Sequence, residues 1–139
     1  MKVVAYSIQP FEKEFLAKAN QKKHDITLIS NPLTLETAMY AMGKDAIIIG
    51  DQDAVSAAVM EKLAAIHIRF IVTRSITNDH IDKSAAAKHR IKLANVLSGL
   101  PQEVADQTIT NLDLWQQNKC VGDTCACAKN CKVIPLKEN

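Results

Sequence analysis

Short apolar runs alternate with segments of helical apolar spacing through most of the chain. Five of these runs predict β-strands, at 3–8, 26–30, 46–50, 69–73 and 91–96. The run at 46–50 is continuously apolar rather than alternating, which is typical of a strand buried on both faces. The pattern therefore predicts several strands that lie inside one sheet.

The segments between the strands place apolar residues on one helical face. Helices are predicted between 11 and 19, at 34–42, up to Ala65, at 84–88 and at 101–115. Asp53 or Ser56 is expected to cap the third helix, and Asp82 the fourth. Pro101 suits the first turn of the last helix, where its missing N–H is no loss.

This order of strands and helices predicts the fold class. Repeated βα units with short connections indicate a parallel sheet with helices on both faces. We therefore predict an α/β fold over residues 1–115, a single flavodoxin-like doubly wound domain with a five-stranded parallel sheet. Residues 116–139 are predicted to form a separate, Cys-rich C-terminal tail.

Composition excludes several classes of function. The 139 residues are 47% hydrophobic and 23% charged, with a net charge of +2 and only 4% aromatic residues. Mixed charges and few aromatics argue against nucleic-acid binding. No apolar run reaches the roughly 18 residues that span a bilayer, and the amino terminus becomes charged too early for a signal peptide. We expect a cytoplasmic protein that binds neither nucleic acid nor membrane.

Methionines and two histidines have expected structural places. Met39, Met42 and Met60 fall on helix faces that are predicted to point to the core. His24 and His67 fall at predicted turns between helix and strand, where surface placement is expected.

Six segments in one order carry a resemblance to a known family. They read YSIQPFEKE at 6–14, PLTLETA at 32–38, TRS at 73–75, DHID at 79–82, ANV at 94–96 and PQEVA at 101–105. Together they resemble the amino-terminal part of D-lactate dehydrogenases, which belong to the D-isomer-specific 2-hydroxyacid dehydrogenases. The resemblance covers about residues 1–115 and implies the substrate domain of that family.

The resemblance also implies a cofactor half that this sequence does not show. In the family a glycine-rich loop lets backbone approach the pyrophosphate of NAD. The four glycines here show no G-x-G-x-x-G spacing, and the catalytic arginine, glutamate and histidine of the family have no counterpart. We expect no catalytic residues and no NAD bound by this chain alone.

The resemblance places the substrate carboxylate on backbone amides of the loop after the fourth strand. Thr77 stands where the family has glycine, and a β-branched residue resists a positive φ. Gly99 stands where the family has a tyrosine that helps to hold substrate. The candidate substrate-binding residues are Arg74, Ser75, Ile76, Thr77 and His80, and the expected ligand is a small 2-hydroxy or 2-oxo acid.

The residues alone leave alternatives for two of these candidates. Arg74 could attract a small carboxylate, or it could pair with Asp79 or Asp51. His80 lies at the carboxyl end of a strand, where α/β sheets bind ligands. It could equally be an ordinary loop residue beside the helix cap Asp82.

The four cysteines are confined to the tail. They are Cys120, Cys125, Cys127 and Cys131. Four thiolates can hold a tetrahedral Zn²⁺, and soft ligands also suit Cu(I) or an iron–sulfur cluster. The alternatives are local disulfides with redox activity, such as Cys120–Cys125 or Cys127–Cys131, or four free thiols.

These observations together predict a stand-alone substrate-domain-like binding module with a thiolate metal site. Trp115 and the apolar face of the 101–115 helix are expected to be uncovered, so we predict a homodimer through that helix. Two alternatives are enzymes. One is a subunit or remnant of an NAD-dependent D-2-hydroxyacid dehydrogenase that takes its cofactor domain from another chain, and the other is a thiol-redox protein.

Overall fold

Five parallel strands form one sheet in the computed structural model, which describes residues 1–126. The strands are β1 (Lys2–Ala5), β2 (Asp25–Leu28), β3 (Ala46–Ile49), β4 (Phe70–Thr73) and β5 (Lys92–Ala94). Their order across the sheet is β2-β1-β3-β4-β5, and every neighbouring pair is parallel. This is the strand order of flavodoxin-like sheets. The predicted α/β class and the five-stranded parallel sheet are confirmed.

Helices cover both faces of this sheet. They are α1 (Pro10–Asn20), α2 (Ala57–Ala65), α3 (Lys83–Lys88) and α4 (Pro101–Gln116), with 3₁₀ segments at Thr37–Ala41 and Gly122–Thr124. Buried residues of α1 and α4 belong to one core, and those of α2, α3 and the first 3₁₀ segment to the other. Within the described residues no helix has the length and apolarity needed to cross a membrane.

The helix starts follow from short-range hydrogen bonds. The Gln9 N–H donates to Glu12 Oε1 at 2.8 Å and closes a capping box at the start of α1. Ser56, and not Asp53, caps α2 by accepting the Val59 N–H. Asp82 caps α3 as predicted.

One predicted helix is much shorter than its apolar spacing suggested. The segment at 34–42 contains only the 3₁₀ helix Thr37–Ala41, in which Ala38 and Ala41 are the buried residues. Residues three apart share a face of a 3₁₀ helix, so the two alanines take the core side. Met39 and Met42 are 51% and 61% exposed, so their predicted core placement is wrong. Met60 is fully buried, as predicted.

The last helix packs on its own chain. Trp115 is 3% exposed and stacks on Phe70, with ring centroids 4.8 Å apart. Ala105, Ile109 and Leu112 are buried in the same core. The expectation that Trp115 and the apolar face of α4 are uncovered is therefore wrong. The exposed apolar face from which the homodimer was predicted is not present.

His24 is buried, although its position at a turn predicted surface placement. Its Nε2 lies 2.7 Å from Asp113 Oδ1, and its Nδ1 lies 3.3 Å from the amino-terminal nitrogen of Met1. This contact ties the start of β2 to α4. Partial burial acts to raise the pKa of Asp113, but hydrogen bonds from Lys23 and His24 outweigh it and hold that pKa below its ordinary value. His67 is exposed with a positive φ of 71°, in agreement with its predicted turn.

The described part of the predicted tail also packs on the domain. The Asn95 N–H donates to the Thr124 carbonyl at 2.9 Å, and the Ala126 N–H to the Leu93 carbonyl at 3.0 Å. Ala94 and Cys125 form an antiparallel bridge. Residues 124–126 therefore cover the outer edge of β5. Cys127 and Cys131 lie outside the described residues.

Candidate ligand-binding cleft

A cleft of about 690 Å³ opens at the carboxyl ends of the strands. Its walls come from the segments that follow all five strands, as expected for ligand sites in open α/β sheets. The predicted residues Arg74, Ser75, Ile76 and Thr77 all line it. His80 does not line the cleft. Its Nε2 contacts Thr73 Oγ1, which in turn contacts the lining residue Ser75. The structure thus brings four of the five candidate substrate-binding residues together.

Asp53 organises the floor of this cleft. Its carboxylate accepts hydrogen bonds from Ser7 Oγ at 2.8 Å, the Leu33 N–H at 3.1 Å and the Gly50 N–H at 2.8 Å. These donors come from the segments after β1, β2 and β3. Ser7 itself has a positive φ of 56°, a conformation rare for serine, and the bond to Asp53 helps to hold it there. The sequence predicts Asp53 only as a candidate helix cap, because its three donors lie far away along the chain.

Arg74 makes four hydrogen bonds to its own chain. Its Nε donates to Glu12 Oε2 at 2.8 Å, and its terminal nitrogens donate to the Tyr6 and Ser7 carbonyls at 3.0 Å. The side chain is only 7% exposed. Gly50 makes room for this arrangement, because a Cβ there would lie 3.1 Å from Arg74 Nη2. The ion pair is with Glu12 and not with the acidic residues that the sequence suggested.

The loop after β4 presents backbone amides at the cleft wall. Among residues 1–126, the N–H groups of Ile76 and Thr77 donate to no protein acceptor. Ser75 Oγ donates to the Thr77 carbonyl at 2.6 Å and closes the turn. Thr77 is not among the residues with positive φ, so the β-branched side chain is accommodated by ordinary backbone geometry. These two adjacent N–H groups are therefore candidate donors to a ligand in the cleft.

His80 supports this loop through a chain of hydroxyl groups. Its Nε2 lies 3.0 Å from Thr73 Oγ1, which lies 3.0 Å from Ser75 Oγ. Because the Ser75 hydroxyl donates to a carbonyl, Thr73 Oγ1 can donate to Ser75 Oγ while it accepts a hydrogen bond from the His80 Nε2–H. Burial lowers the pKa of His80, although Asp51, Asp53 and Asp79 act in the opposite direction. The geometry favours an imidazole that carries a proton on Nε2.

The two described cysteines lie close along the chain at the second 3₁₀ segment. Cys120 is exposed, and the Gly122 N–H donates to its Sγ at 3.4 Å. Cys125 is half-buried beside β5. In the part of the chain up to residue 126, no three His, Cys, Asp or Glu side chains cluster as metal ligands would. The predicted fourfold thiolate site depends on Cys127 and Cys131 as well.

Sequence relatives of the chain are 2-hydroxyacid dehydrogenases. A D-lactate dehydrogenase of Curvularia clavata is 32% identical over 111 residues, which cover 76% of this chain and 32% of that protein. A 2-hydroxyacid dehydrogenase homolog of Zymomonas mobilis is 30% identical over 110 residues, with coverage of 78% and 33%. The chain thus spans about a third of the length of the curated relatives it matches.

Solved structures show the same likeness. The apo-structure of D-lactate dehydrogenase from Escherichia coli aligns with a TM-score of 0.68 and 27% identity, covering 70% of this chain and 31% of that one. The pyruvate reductase of Chlamydomonas reinhardtii aligns with a TM-score of 0.67 and 29% identity, covering 70% and 29%. The sequence model for the catalytic domain of D-isomer specific 2-hydroxyacid dehydrogenases matches residues 3–134. The chain therefore belongs to the D-isomer specific 2-hydroxyacid dehydrogenase family, as a partial catalytic domain.

Proposed function

We propose that this chain binds the carboxylate of a small 2-hydroxy or 2-oxo acid in the cleft at the carboxyl ends of the strands. The observation that carries the proposal is that Ile76 and Thr77 line the cleft and that their adjacent N–H groups have no acceptor among the described residues. Adjacent backbone N–H groups are effective anion donors. Its relatives include enzymes named for D-lactate and pyruvate, which are acids of this class.

The charges around the cleft predict weak binding. Glu12, Asp51 and Asp53 line it together with Arg74, whose guanidinium is already paired with Glu12. A carboxylate ligand therefore depends on the amides rather than on a free cation. We expect a dissociation constant of the order of 1 mM, which corresponds to about −4 kcal/mol.

The proposed role is binding and positioning, with hydride transfer left to a nicotinamide domain. The ionisable side chains that line the cleft in the described residues are Glu12, Asp51, Asp53 and Arg74, of which Glu12 and Arg74 pair with each other and Asp53 accepts three hydrogen bonds. A cofactor domain supplied in another chain, or elsewhere in a longer protein, would complete a dehydrogenase. The hypothesis of a dehydrogenase subunit or remnant and the hypothesis of a binding module therefore share one prediction, which is that a carboxylate binds at the loop after β4.

The loop amides are tested by a matched pair of substitutions at one position. Amide NMR of the wild-type protein titrated with pyruvate should show saturable shifts at Ile76 and Thr77. Thr77→Pro removes one of the two donors, and Thr77→Ala keeps it. We expect pyruvate binding to be lost in T77P and retained in T77A. Shifts that spread over the surface without saturation, or equal binding by both variants, would disprove the proposal.

We also propose that Cys120 is a metal-ligating thiolate, together with the three cysteines that follow it. The observation in favour is that Cys120 is exposed, with the Gly122 N–H donating to its Sγ at 3.4 Å. Zn²⁺ suits a tetrathiolate site, and Cu(I) or an iron–sulfur cluster is an alternative. Redox-active disulfides are the competing proposal for the same residues.

A further inference from the structure

Asn95 joins the end of β5 to the loop that carries the proposed ligand donors. Its side chain is buried, and its Nδ2 donates to the Ile76 carbonyl at 3.1 Å and to the Val96 carbonyl at 3.0 Å. Its Oδ1 accepts a hydrogen bond from Asn78 Nδ2 at 3.2 Å. Asn95 is not among the residues that line the cleft, so it can affect a ligand there only through the loop.

The neighbouring groups determine which way the Asn95 amide faces. Lys83 Nζ donates to Asn78 Oδ1 at 2.7 Å, and an ammonium group can only donate. Asn78 therefore presents its Nδ2 to Asn95 Oδ1, and Asn95 Nδ2 faces the two carbonyls. Turning the Asn95 amide over would place oxygen against oxygen at each of these contacts.

The backbone of Asn95 is held by α4 and the segment that follows it. Its N–H donates to the Thr124 carbonyl at 2.9 Å, and its carbonyl accepts a hydrogen bond from Asn111 Nδ2 at 3.3 Å. Thr124 Oγ1 donates to Asn111 Oδ1 at 2.7 Å and links these two supports. The Asn95 side chain therefore starts from a backbone that is fixed on both sides.

The contacts of residues 95 and 96 determine the direction of the two loop N–H groups. The described peptide bonds are trans, so each carbonyl and the N–H that follows it point in opposite directions. The Ser75 carbonyl accepts the Val96 N–H at 3.2 Å, which directs the Ile76 N–H away from Val96. The Ile76 carbonyl accepts Asn95 Nδ2, which directs the Thr77 N–H away from Asn95.

We propose that Asn95 is a positioning residue of the carboxylate site, which holds the Thr77 N–H in the direction that a bound carboxylate needs. The inference rests on the proposed function and assigns the orientation of one donor to a residue outside the cleft. Without the bond from Asn95, the peptide group between Ile76 and Thr77 is free to turn. Its N–H then faces the ligand for only part of the time, and the apparent affinity falls in proportion.

The test uses pyruvate as the probe and compares the two loop amides by NMR in Asn95→Leu. Leucine is close to asparagine in size but has no donor, so it releases the Ile76 carbonyl and leaves the Val96 N–H in place. Pyruvate should bind about tenfold more weakly, the effect of losing one hydrogen bond to a charged group. At equal occupancy, the pyruvate-induced shift of Thr77 should be mostly lost and that of Ile76 retained.

Three further variants separate positioning from lost stability. Asn20→Leu removes another buried asparagine, which makes two hydrogen bonds to the His24 backbone at the end of α1, and should leave pyruvate binding unchanged. Asn78→Ala changes the loop itself but keeps both donor bonds of Asn95, so it should weaken pyruvate binding by less than about twofold. Asn95→Ser, whose hydroxyl ends one bond short of Nδ2, is a milder change that should give the same selective loss at Thr77 if N95L does not fold.

Each outcome bears on the proposed function or on Asn95. Wild-type affinity and a wild-type Thr77 shift in the Asn95 variants would overturn the inference and leave the carboxylate site intact. Equal losses at Ile76 and Thr77, or an equal loss of binding in N20L or N78A, would also overturn it, because the effect would then be a general loosening. No saturable shift in the wild-type protein would refute the proposed function and the inference with it.

Discussion

Arg74 Nε donates to Glu12 Oε2 at 2.8 Å, and the pair joins the end of β4 to the first turn of α1. The guanidinium also holds the Tyr6 and Ser7 carbonyls, so it closes one side of the cleft. A cation that is bound in this way shapes a site instead of attracting its ligand. The ion pair therefore explains why a cleft with an arginine in its wall is expected to bind carboxylates weakly.

Releasing this arginine should strengthen anion binding. Glu12→Gln removes one negative charge from the cleft wall and leaves the Arg74 guanidinium without its counter-ion. We expect pyruvate to bind about three- to tenfold more tightly, the order expected for one changed charge near an anion site. Stability should fall by about 1–2 kcal/mol, because a hydrogen-bonded ion pair is replaced by a hydrogen bond from a cation to a neutral amide.

NMR titration and urea unfolding measure these two effects of Glu12→Gln. Glu14→Gln is the control, because it removes the same charge from an exposed position of α1. Pyruvate affinity that is unchanged in E12Q, or raised equally in E14Q, would contradict this account of Arg74.

Asp53 should be essential to the shape of the cleft. Asp53→Asn turns one acceptor oxygen into an N–H₂ group that faces a donor, at a position only 2% exposed. We expect a loss of about 1–3 kcal/mol in the free energy of unfolding, the usual effect of an unsatisfied buried polar group. Urea denaturation measures it, with the exposed Asp51→Asn as the control. A loss in D53N no larger than in D51N would show that the three donors do not depend on this carboxylate.

The single tryptophan reports whether α4 is covered. Because Trp115 is buried against Phe70, its fluorescence in the native protein should be blue-shifted and protected from acrylamide, also in dilute protein. Trp115→Ala should cost about 3–5 kcal/mol of stability. Native emission like that of free tryptophan in water, or protection that appears only at high protein concentration, would restore the interface that was predicted through this helix.

His80 should make stability depend on pH. Burial lowers its pKa from 6.5, so the folded chain holds the imidazole neutral at a pH where an unfolded chain has already protonated it. The stability that this difference provides is complete above about pH 6.5 and is lost as the pH falls through the lower pKa of the folded state.

Thermal unfolding between pH 7.5 and 5 measures the contribution of His80. His80→Gln keeps an N–H donor for Thr73 but does not titrate, so its pH dependence should be flatter than that of the wild type. His67→Gln, at an exposed position, should retain the wild-type slope. Identical slopes in wild type and H80Q would exclude this role.

The tail cysteines should act together if they hold a metal. Protein purified without chelator or reductant should then contain about one Zn²⁺ or other soft metal per chain, with four protected thiols. Substituting any one of Cys120, Cys125, Cys127 and Cys131 by serine should lower metal retention sharply. Elemental analysis and a free-thiol count measure both. Two or four missing thiols without metal would favour disulfides and the redox alternative, and unchanged metal content in the serine variants would contradict the site.

Short stretches of sequence were sufficient to predict the order of the strands and helices and much of their length. Strand β3 is apolar at each of its four positions and is buried throughout, and Asp82 and Pro101 stand at the helix starts where their chemistry predicts them. These features depend on neighbours a few residues away along the chain. The family was recognisable for a similar reason, because its motifs are short and occur in a fixed order.

Tertiary structure alone decided what lies across the cleft and what covers each apolar face. Glu12 and Arg74 are 62 residues apart, and Ser7 and Asp53 are 46 apart. The sequence predicted a surface position for His24, but its side chain is buried against Asp113 of α4. It also predicted an exposed Trp115, which is buried against Phe70 of the sheet. The periodicity of a segment shows which face is apolar, but not which distant surface covers it. Which residues pair depends on how the whole chain packs. In the cleft wall of the described residues, that packing paired the only arginine with Glu12. It also left open space beside Gly99.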